Sequence, residues 1–271
     1  MKFGHRERRS PARGTGGTFV KHYHHFFDAE VKKACRTFKL SGEGAFRAPE
    51  VKWFDSNASV IGYERLNLET PLSQLYISCL RGSEMSQADL LPFRMVGEAL
   101  VDIHHGLVRK GVVEWSMPSL FRDVLDLRGE KESNYCGLPQ VTFHCDYGFT
   151  NIWYDLDACV PMIIDPSPNL TTSFHPLAFG TPYLDIGHLF SSLDGRVPLW
   201  SWLGLHWGRV PRIKEEVLAG YNSKAEIKLS MSTANSFGAA VSSSWYIRKY
   251  GNGLRARAAN YVLYGFSKGL D

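Results

Sequence analysis

His144-Cys145-Asp146-Tyr147-Gly148-Phe149-Thr150-Asn151, followed fourteen residues later by Asp165 at the end of an apolar run, is the passage from which the fold can be read. It has the form H-x-D-x-x-x-x-N, then D. Val141-Thr142-Phe143 is β-prone and leads into it, and Ile152-Trp153-Tyr154 leads out. Asp155-Leu156-Asp157 supplies turn chemistry, and Val160 to Ile164 is a third β-prone run that stops at Asp165. A loop followed by a hairpin brings Asn151 and Asp165 back to one edge. There both can reach a single hard cation through oxygen, the ligand type that magnesium takes. Asp146 falls beside them, off the metal, where it can accept a hydroxyl proton. Any one of the three is explained by the turn-forming habits of Asp and Asn. All three at this spacing, between β-prone runs, point to phosphoryl transfer.

The passage resembles the aminoglycoside phosphotransferase and choline kinase-like group, the small-molecule branch of the protein-kinase-like fold. The resemblance runs from about Phe19 to the C-terminus. Val96 to His104 is similar to the family's long helix before the catalytic loop, Tyr183-Leu184-Asp185-Ile186-Gly187 to its Asp-containing helix start, and Val217 to Tyr221 to its later Gly-Tyr phrase. Asp165-Pro166-Ser167 is not Asp-Phe-Gly, and no Ala-Pro-Glu follows. The missing activation segment favours a small-molecule or glycan acceptor over a protein. The resemblance implies an α+β fold of two lobes: an abbreviated, β-rich nucleotide-binding lobe over residues 1–66, and a mainly helical catalytic and substrate-binding lobe over 67–271. It further implies Asp146 as catalytic residue, Asn151 and Asp165 as magnesium ligands, and ATP as phosphoryl donor. Asp185 would buttress the catalytic loop by hydrogen bonds, and His144 would orient it.

Composition sets the wider limits. The chain has 271 residues, 44% apolar and 21% charged, as in an ordinary globular enzyme of one large domain or a close pair. No apolar run approaches a membrane span, since the longest, Val197 to Trp207, is broken by Ser, Gly and His. The basic N-terminus has no apolar core of a secretory signal. Five cysteines, Cys35, Cys79, Cys136, Cys145 and Cys159, are odd in number and lack C-x-x-C spacing, which predicts free thiols and a cytoplasmic setting. The histidine clusters at 22, 24 and 25 and at 104 and 105 do not have the spacing of a transition-metal site.

In the first lobe, Thr18 to Tyr23 alternates as a strand and Asp28 to Leu40 has helical periodicity, with Asp28 as N-cap. The resemblance implies a strand lysine on the nucleotide phosphates, held by a helix glutamate; Lys21 and Glu30 are the candidates. The family glutamate would be expected about one turn later, where Lys33 stands. Gly14-Thr15-Gly16-Gly17 lies too close to Lys21 to be a phosphate-covering hairpin, and reads as a tight turn or a flexible leader. Val51 to Asp55 and Ser59 to Glu64 are two strands about an Asp-Ser-Asn turn, and Arg65 to Leu68 connects the lobes. In the family this connector offers backbone groups to adenine, which makes Glu64 and Arg65 the ATP-edge candidates.

In the second lobe, Ser86 and Asp89 form a capping box for a helix reaching about Gly111, with Pro92 in its first turn. Further helices are predicted at Ser119 to Leu127, Leu184 to Leu193, Leu199 to Trp207 and Arg212 to Tyr221, with two more before the end. Trp200, Trp202 and Trp207 are read as core, with a substrate cleft as the other option. Net charge is +4, and the tail carries Arg248, Lys249, Arg255, Arg257 and Lys268 with interleaved tyrosines. A solvated helix face explains this better than nucleic acid does. The same basic tail argues against a polycationic aminoglycoside, and for a neutral or anionic hydroxyl-bearing acceptor such as a sugar or glycan. The alternative is a pseudokinase, a nucleotide-binding scaffold or regulatory protein of the same fold, to which the short glycine region would be suited.

Overall fold

The computed structural model describes residues 17–23, 25–67, 70–107, 113–165, 175–195 and 205–250. The predicted helix at 199–207 therefore lies mostly outside the described residues, as do Gly14, Gly16, Trp200, Trp202 and the tail beyond residue 250.

The first lobe is built from β1 (Thr18–His22), α1 (Phe27–Ser41), β2 (Val51–Asp55) and β3 (Val60–Glu64). The strands form an antiparallel sheet of order β1-β3-β2. The central strand β3 is the buried one, and β2 is largely exposed. The turn between them is held by Asp55, whose carboxylate accepts from the backbone N–H groups of Asn57 and Ala58. Opposite Trp53 in the register stands Gly62, and a Cβ there would meet the indole ring at 2.3 Å, so the glycine lets the ring lie flat on the sheet. The small core joins sheet to helix through Tyr23, Ala34, Ile61 and Tyr63. Asp28 is not the N-cap of α1. The helix starts one residue earlier, from Phe26 in a left-handed conformation (φ 58°) without a side-chain cap, and Asp28 and Glu30 sit in its first turn, where carboxylates complement the helix dipole.

The second lobe continues with β4 (Thr70–Pro71), α2 (Leu72–Arg81), α3 (Gln87–Gly106), β5 (Val113–Glu114), α4 (Ser119–Leu127), β6 (Val141–Thr142), β7 (Ile152–Asp155), β8 (Val160–Ile163), β9 (Ala178–Gly180), α5 (Tyr183–Gly195), α6 (Val210–Lys224) and α7 (Met231–Tyr250). The mixture is α+β, with two small three-stranded sheets, β4-β7-β8 and β5-β9-β6, set among the helices. The Ser86–Asp89 capping box forms, with both reciprocal bonds present. Pro92 is the sixth residue of α3, not part of its first turn, and α3 stops at Gly106, where Leu107 turns to extended backbone. A buried proline is tolerated there although it removes one helical donor.

Two close helix crossings set the core. Between α3 and α6, a Cβ on Gly97 would stand 2.0 Å from the Val217 carbonyl, and one on Gly220 would stand 1.9 Å from that of Arg94. The backbones touch, and only hydrogen fits between them. α5 and α7 pack similarly through Gly187 and Phe237. The start of α7 is anchored by Glu130, whose carboxylate accepts from Ser232, Thr233, Ser236 and Asn134. Burial pushes this carboxyl up, but the four hydrogen bonds outweigh it and hold it below its ordinary value.

The segment before β2 joins the lobes. Arg47 N–H donates to the Pro161 carbonyl and the Arg47 carbonyl accepts from Ile163 N–H, so the chain between α1 and β2 lies against β8. That contact carries the β7–β8 hairpin up to the underside of the first lobe.

Candidate active site

The β7–β8 register pairs Ile152 with Ile163, and Ile164 N–H donates to the Asn151 carbonyl. Asn151 and Asp165 thus emerge side by side from the open end of the hairpin. Asn151 is buried, and its Nδ2 donates to the Asp146 carbonyl at 3.0 Å. With the amide nitrogen committed, Oδ1 is the atom left to serve as an oxygen ligand. Asp165 has left-handed backbone (φ 53°), and its carboxylate accepts a charged hydrogen bond from Lys21 of β1. Lys21 also lies over the Tyr23 ring, 4.9 Å from its centroid. Two bonded pairs therefore stand at this end of the hairpin, Asn151 with the Asp146 carbonyl and Asp165 with Lys21, the second spanning 144 positions of chain.

Asp146 itself is half-exposed, whereas its neighbours Cys145 and Tyr147 are fully buried. The backbone before it is fixed from below. Asp185, the third residue of α5, accepts from His144 N–H at 2.6 Å and Cys145 N–H at 3.0 Å. Its Oδ2 also contacts His104 Nε2 at 3.0 Å, and His104 Nδ1 meets the Tyr221 hydroxyl at 3.0 Å. Burial pushes the Asp185 carboxyl up, but the bond from His104 and the imidazoles around it hold it at about 2. Burial likewise drives His144 down to about 3, so its ring is neutral, and its Nδ1 accepts from Asp146 N–H at 3.4 Å. After Asp146, the Tyr147 hydroxyl donates to the Val96 carbonyl of α3 at 2.7 Å.

Glu30 is buried on α1, close enough to Tyr23, Tyr63 and Cys145 for its charge to raise their pKa values. Glu64 and Arg65 lie at the end of β3. The N–H of Glu64 donates to Glu50 and that of Arg65 to Gly17, so any contribution of these two residues to a base would come from their carbonyl oxygens. Among the described residues, no three His, Cys, Asp or Glu side chains gather into a metal-sized cluster. The five cysteines are all unpaired. Trp207 packs against the main core.

Sequence reasoning did not assign roles to His104, Tyr221 or Lys33. The first two stand at the ends of the phrases that resemble the family, Val96 to His104 and Val217 to Tyr221; the α3–α6 glycine contact brings those ends together on Asp185. Lys33 carried no such signal: the buried face of α1 is Glu30, Lys33, Ala34, Thr37 and Leu40, whereas Cys35 and Phe38, which the apolar periodicity would bury, are exposed.

No protein-family model matches the sequence, and no curated protein matches it. Among solved structures, the chain resembles a macrolide 2'-phosphotransferase from Brachybacterium faecium, with a TM-score of 0.54 and 13% identity over 93% of this chain and 87% of that one. It also resembles a choline/ethanolamine kinase family protein from Mesorhizobium loti, with a TM-score of 0.53 and 16% identity over 93% of this chain and 85% of that one. At such identities the likeness establishes the fold, and that fold is the two-lobed, kinase-like one expected from the His144–Asn151 passage.

Proposed function

We propose that this chain is an ATP- and magnesium-dependent phosphotransferase that moves a γ-phosphoryl group onto a hydroxyl of a small molecule, sugar or glycan. The observation that carries the reading is the end of the β7–β8 hairpin: Asn151 is tied to the Asp146 carbonyl and accepts from Ile164 N–H, and the next residue, Asp165, pairs with Lys21. We further propose that residues 1–66 bind nucleotide, through Lys21, Glu30 and the Glu64–Arg65 edge, and that 67–271 carry catalysis and the acceptor.

An amide oxygen and a carboxylate suit magnesium, which prefers few protein oxygens and completes its shell with water and phosphate. Asn151 Oδ1 and Asp165 would hold it, and when bound it would supply positive charge to the phosphate oxygens. Lys21 adds a cation on the same side. The half-exposed Asp146 aligns the acceptor hydroxyl and takes its proton, while His144 and Asp185 keep the loop beneath it in place. Phosphoryl transfer needs little more than such positioning and charge.

The acceptor proposed is neutral or anionic, because the basic tail would repel a polycation. The competing reading, a scaffold that binds nucleotide without transfer, draws on the short glycine region ahead of Lys21. Transfer of labelled γ-phosphate from ATP to a panel of sugars, with and without magnesium, separates the two. Asp146→Asn should lower turnover by about 10²–10⁴-fold while nucleotide still binds. Unchanged turnover removes Asp146 from the chemistry, and efficient phosphorylation of kanamycin overturns the acceptor class.

A further inference from the structure

We infer that Lys33 is a positioning residue for Asp146, coupling helix α1 of the first lobe to the catalytic loop; the inference rests on the phosphotransfer reading above. Lys33 is fully buried. Its Nζ donates to the His144 carbonyl at 3.0 Å and lies 3.4 Å from Cys145 Sγ, so it reaches the two residues immediately before Asp146 across more than a hundred positions of chain. The N–H groups of the same two residues are held by Asp185. His144 is therefore gripped at both polar backbone atoms, its N–H by a carboxylate on α5 and its carbonyl by a lysine on α1.

The loop has reason to need both grips. Cys145 has φ 77°, a left-handed conformation that an L side chain enters at a cost. Such strain persists at a site only when the surrounding structure over-determines it. Removing the donor on the His144 carbonyl lets the peptide between residues 144 and 145 rotate toward an ordinary conformation, and Asp146, the next residue, moves with it. A displacement of about 1 Å in a reacting group can cost about 10²-fold in rate.

The location also gives Lys33 its significance. Burying an amino group is expensive unless it is hydrogen-bonded and its charge is met, and an apolar residue would fill the same face of α1 without that expense. Glu30, buried one turn earlier, sets a carboxylate on the same helix. Because α1 packs on the nucleotide-side sheet, any shift of that lobe reaches Asp146 through Lys33.

Lys33→Met keeps an unbranched stem out to the ε position and removes the terminal donor. The test measures steady-state phosphoryl transfer together with N-ethylmaleimide labelling of each cysteine, resolved by peptide mass spectrometry. The expected result is a 10- to 100-fold lower kcat and a KM for the magnesium–ATP complex within about threefold of the parent. Cys145 should label at least about tenfold faster, while Cys79, buried elsewhere in the core, labels at the parent rate. Burial holds the Cys145 thiol at about 12, and the Lys33 charge lowers it, so loss of that charge would by itself slow labelling; faster labelling can only report an opened loop. An unchanged kcat in a folded variant, an unchanged Cys145 rate, or a Cys79 rate that rises in step with Cys145 overturns the inference. If the parent protein transfers no phosphate to any acceptor or to water, the phosphotransfer reading fails, and the Cys145-to-Cys79 ratio still decides whether Lys33 holds this loop.

Discussion

Asp185 holds His144 by its backbone: Oδ2 accepts the His144 N–H at 2.6 Å, in a site from which solvent is fully excluded. The Cys145 N–H and His104 occupy the rest of the carboxylate. Asparagine at 185 would offer one acceptor oxygen in place of two, and would aim an amide N–H₂ at a peptide N–H. A hydrogen bond to a charged group contributes about 1.5–3 kcal/mol, and the stranded N–H adds its own desolvation cost. Asp185→Asn is therefore expected to lower the melting temperature by about 5 °C or more and turnover by at least about tenfold. Thermal unfolding and steady-state transfer assays check both. An unaltered melting temperature would mean that the carboxylate does not hold the loop.

The Lys21–Asp165 pair leads to a second expectation. The lysine pairs with the carboxylate proposed to hold magnesium. On the proposed function, Lys21 would contact phosphate and Asp165 would hold the metal when the magnesium–nucleotide complex is bound. Lys21→Met should weaken nucleotide binding about tenfold or more, the loss of one charged contact, without abolishing the response to magnesium. Asp165→Asn should do the reverse, leaving nucleotide affinity nearly independent of magnesium. Calorimetric titration of both variants, with and without the metal, distinguishes them; matching magnesium responses in the two would place the metal on other residues.

The backbone of the candidate site was legible because it is compressed into a loop and one hairpin. Local patterns suffice to bring Asn151 beside Asp165, since a hairpin needs only its strands and the Asp155-Leu156-Asp157 turn. The capping box at Ser86 was equally local. The N-terminus of α1 was misread because Asp28 looks like a cap, whereas the chain enters the helix through a left-handed Phe26 that packs edge-on against His175 at 4.6 Å, a contact no local pattern encodes. The extent of α3 was overestimated for a similar reason: the Leu107 break carries neither Pro nor a glycine cap. Lys33 stayed hidden because its partners lie on a loop more than a hundred residues away, and a lysine on a helix ordinarily reads as solvated.

The close contact of α3 with α6 has its own test. Gly220→Ala would drive a methyl group to within 1.9 Å of the Arg94 carbonyl, a backbone atom that cannot rotate away. Separating the helices would cost about 1–3 kcal/mol or more, and it would also draw Tyr221 from His104, which is bonded to Asp185. Loss of stability should therefore be accompanied by a fall in turnover at temperatures where the variant remains folded. Urea unfolding gives the first quantity and transfer kinetics the second. A destabilised variant with full turnover would uncouple this helix pair from the loop.

The buried imidazoles fix the pH response. Burial depresses His144 to about 3, and His104 also falls below its ordinary value because burial outweighs its bond to Asp185. In the unfolded chain each titrates near 6.5. Between pH 6.5 and the folded value, the unfolded state binds more protons, so stability is full above about 6.5 and declines as pH falls, by up to about 1.4 kcal/mol per pH unit for each group. Asp185, held at about 2, keeps its contribution throughout that range and loses it only as pH falls below the ordinary carboxylate value toward 2. Loss of stability between pH 6.5 and 4 is thus assigned chiefly to histidine. His144→Asn keeps an acceptor near the Nδ1 position for Asp146 N–H and removes one titrating ring. Urea denaturation of the parent at pH 7, 6 and 5 should show stability falling toward acid, and the variant's slope should be shallower by about one proton. Equal slopes would mean that the His144 ring takes up its proton in the folded protein, at odds with its sealed position against Tyr147.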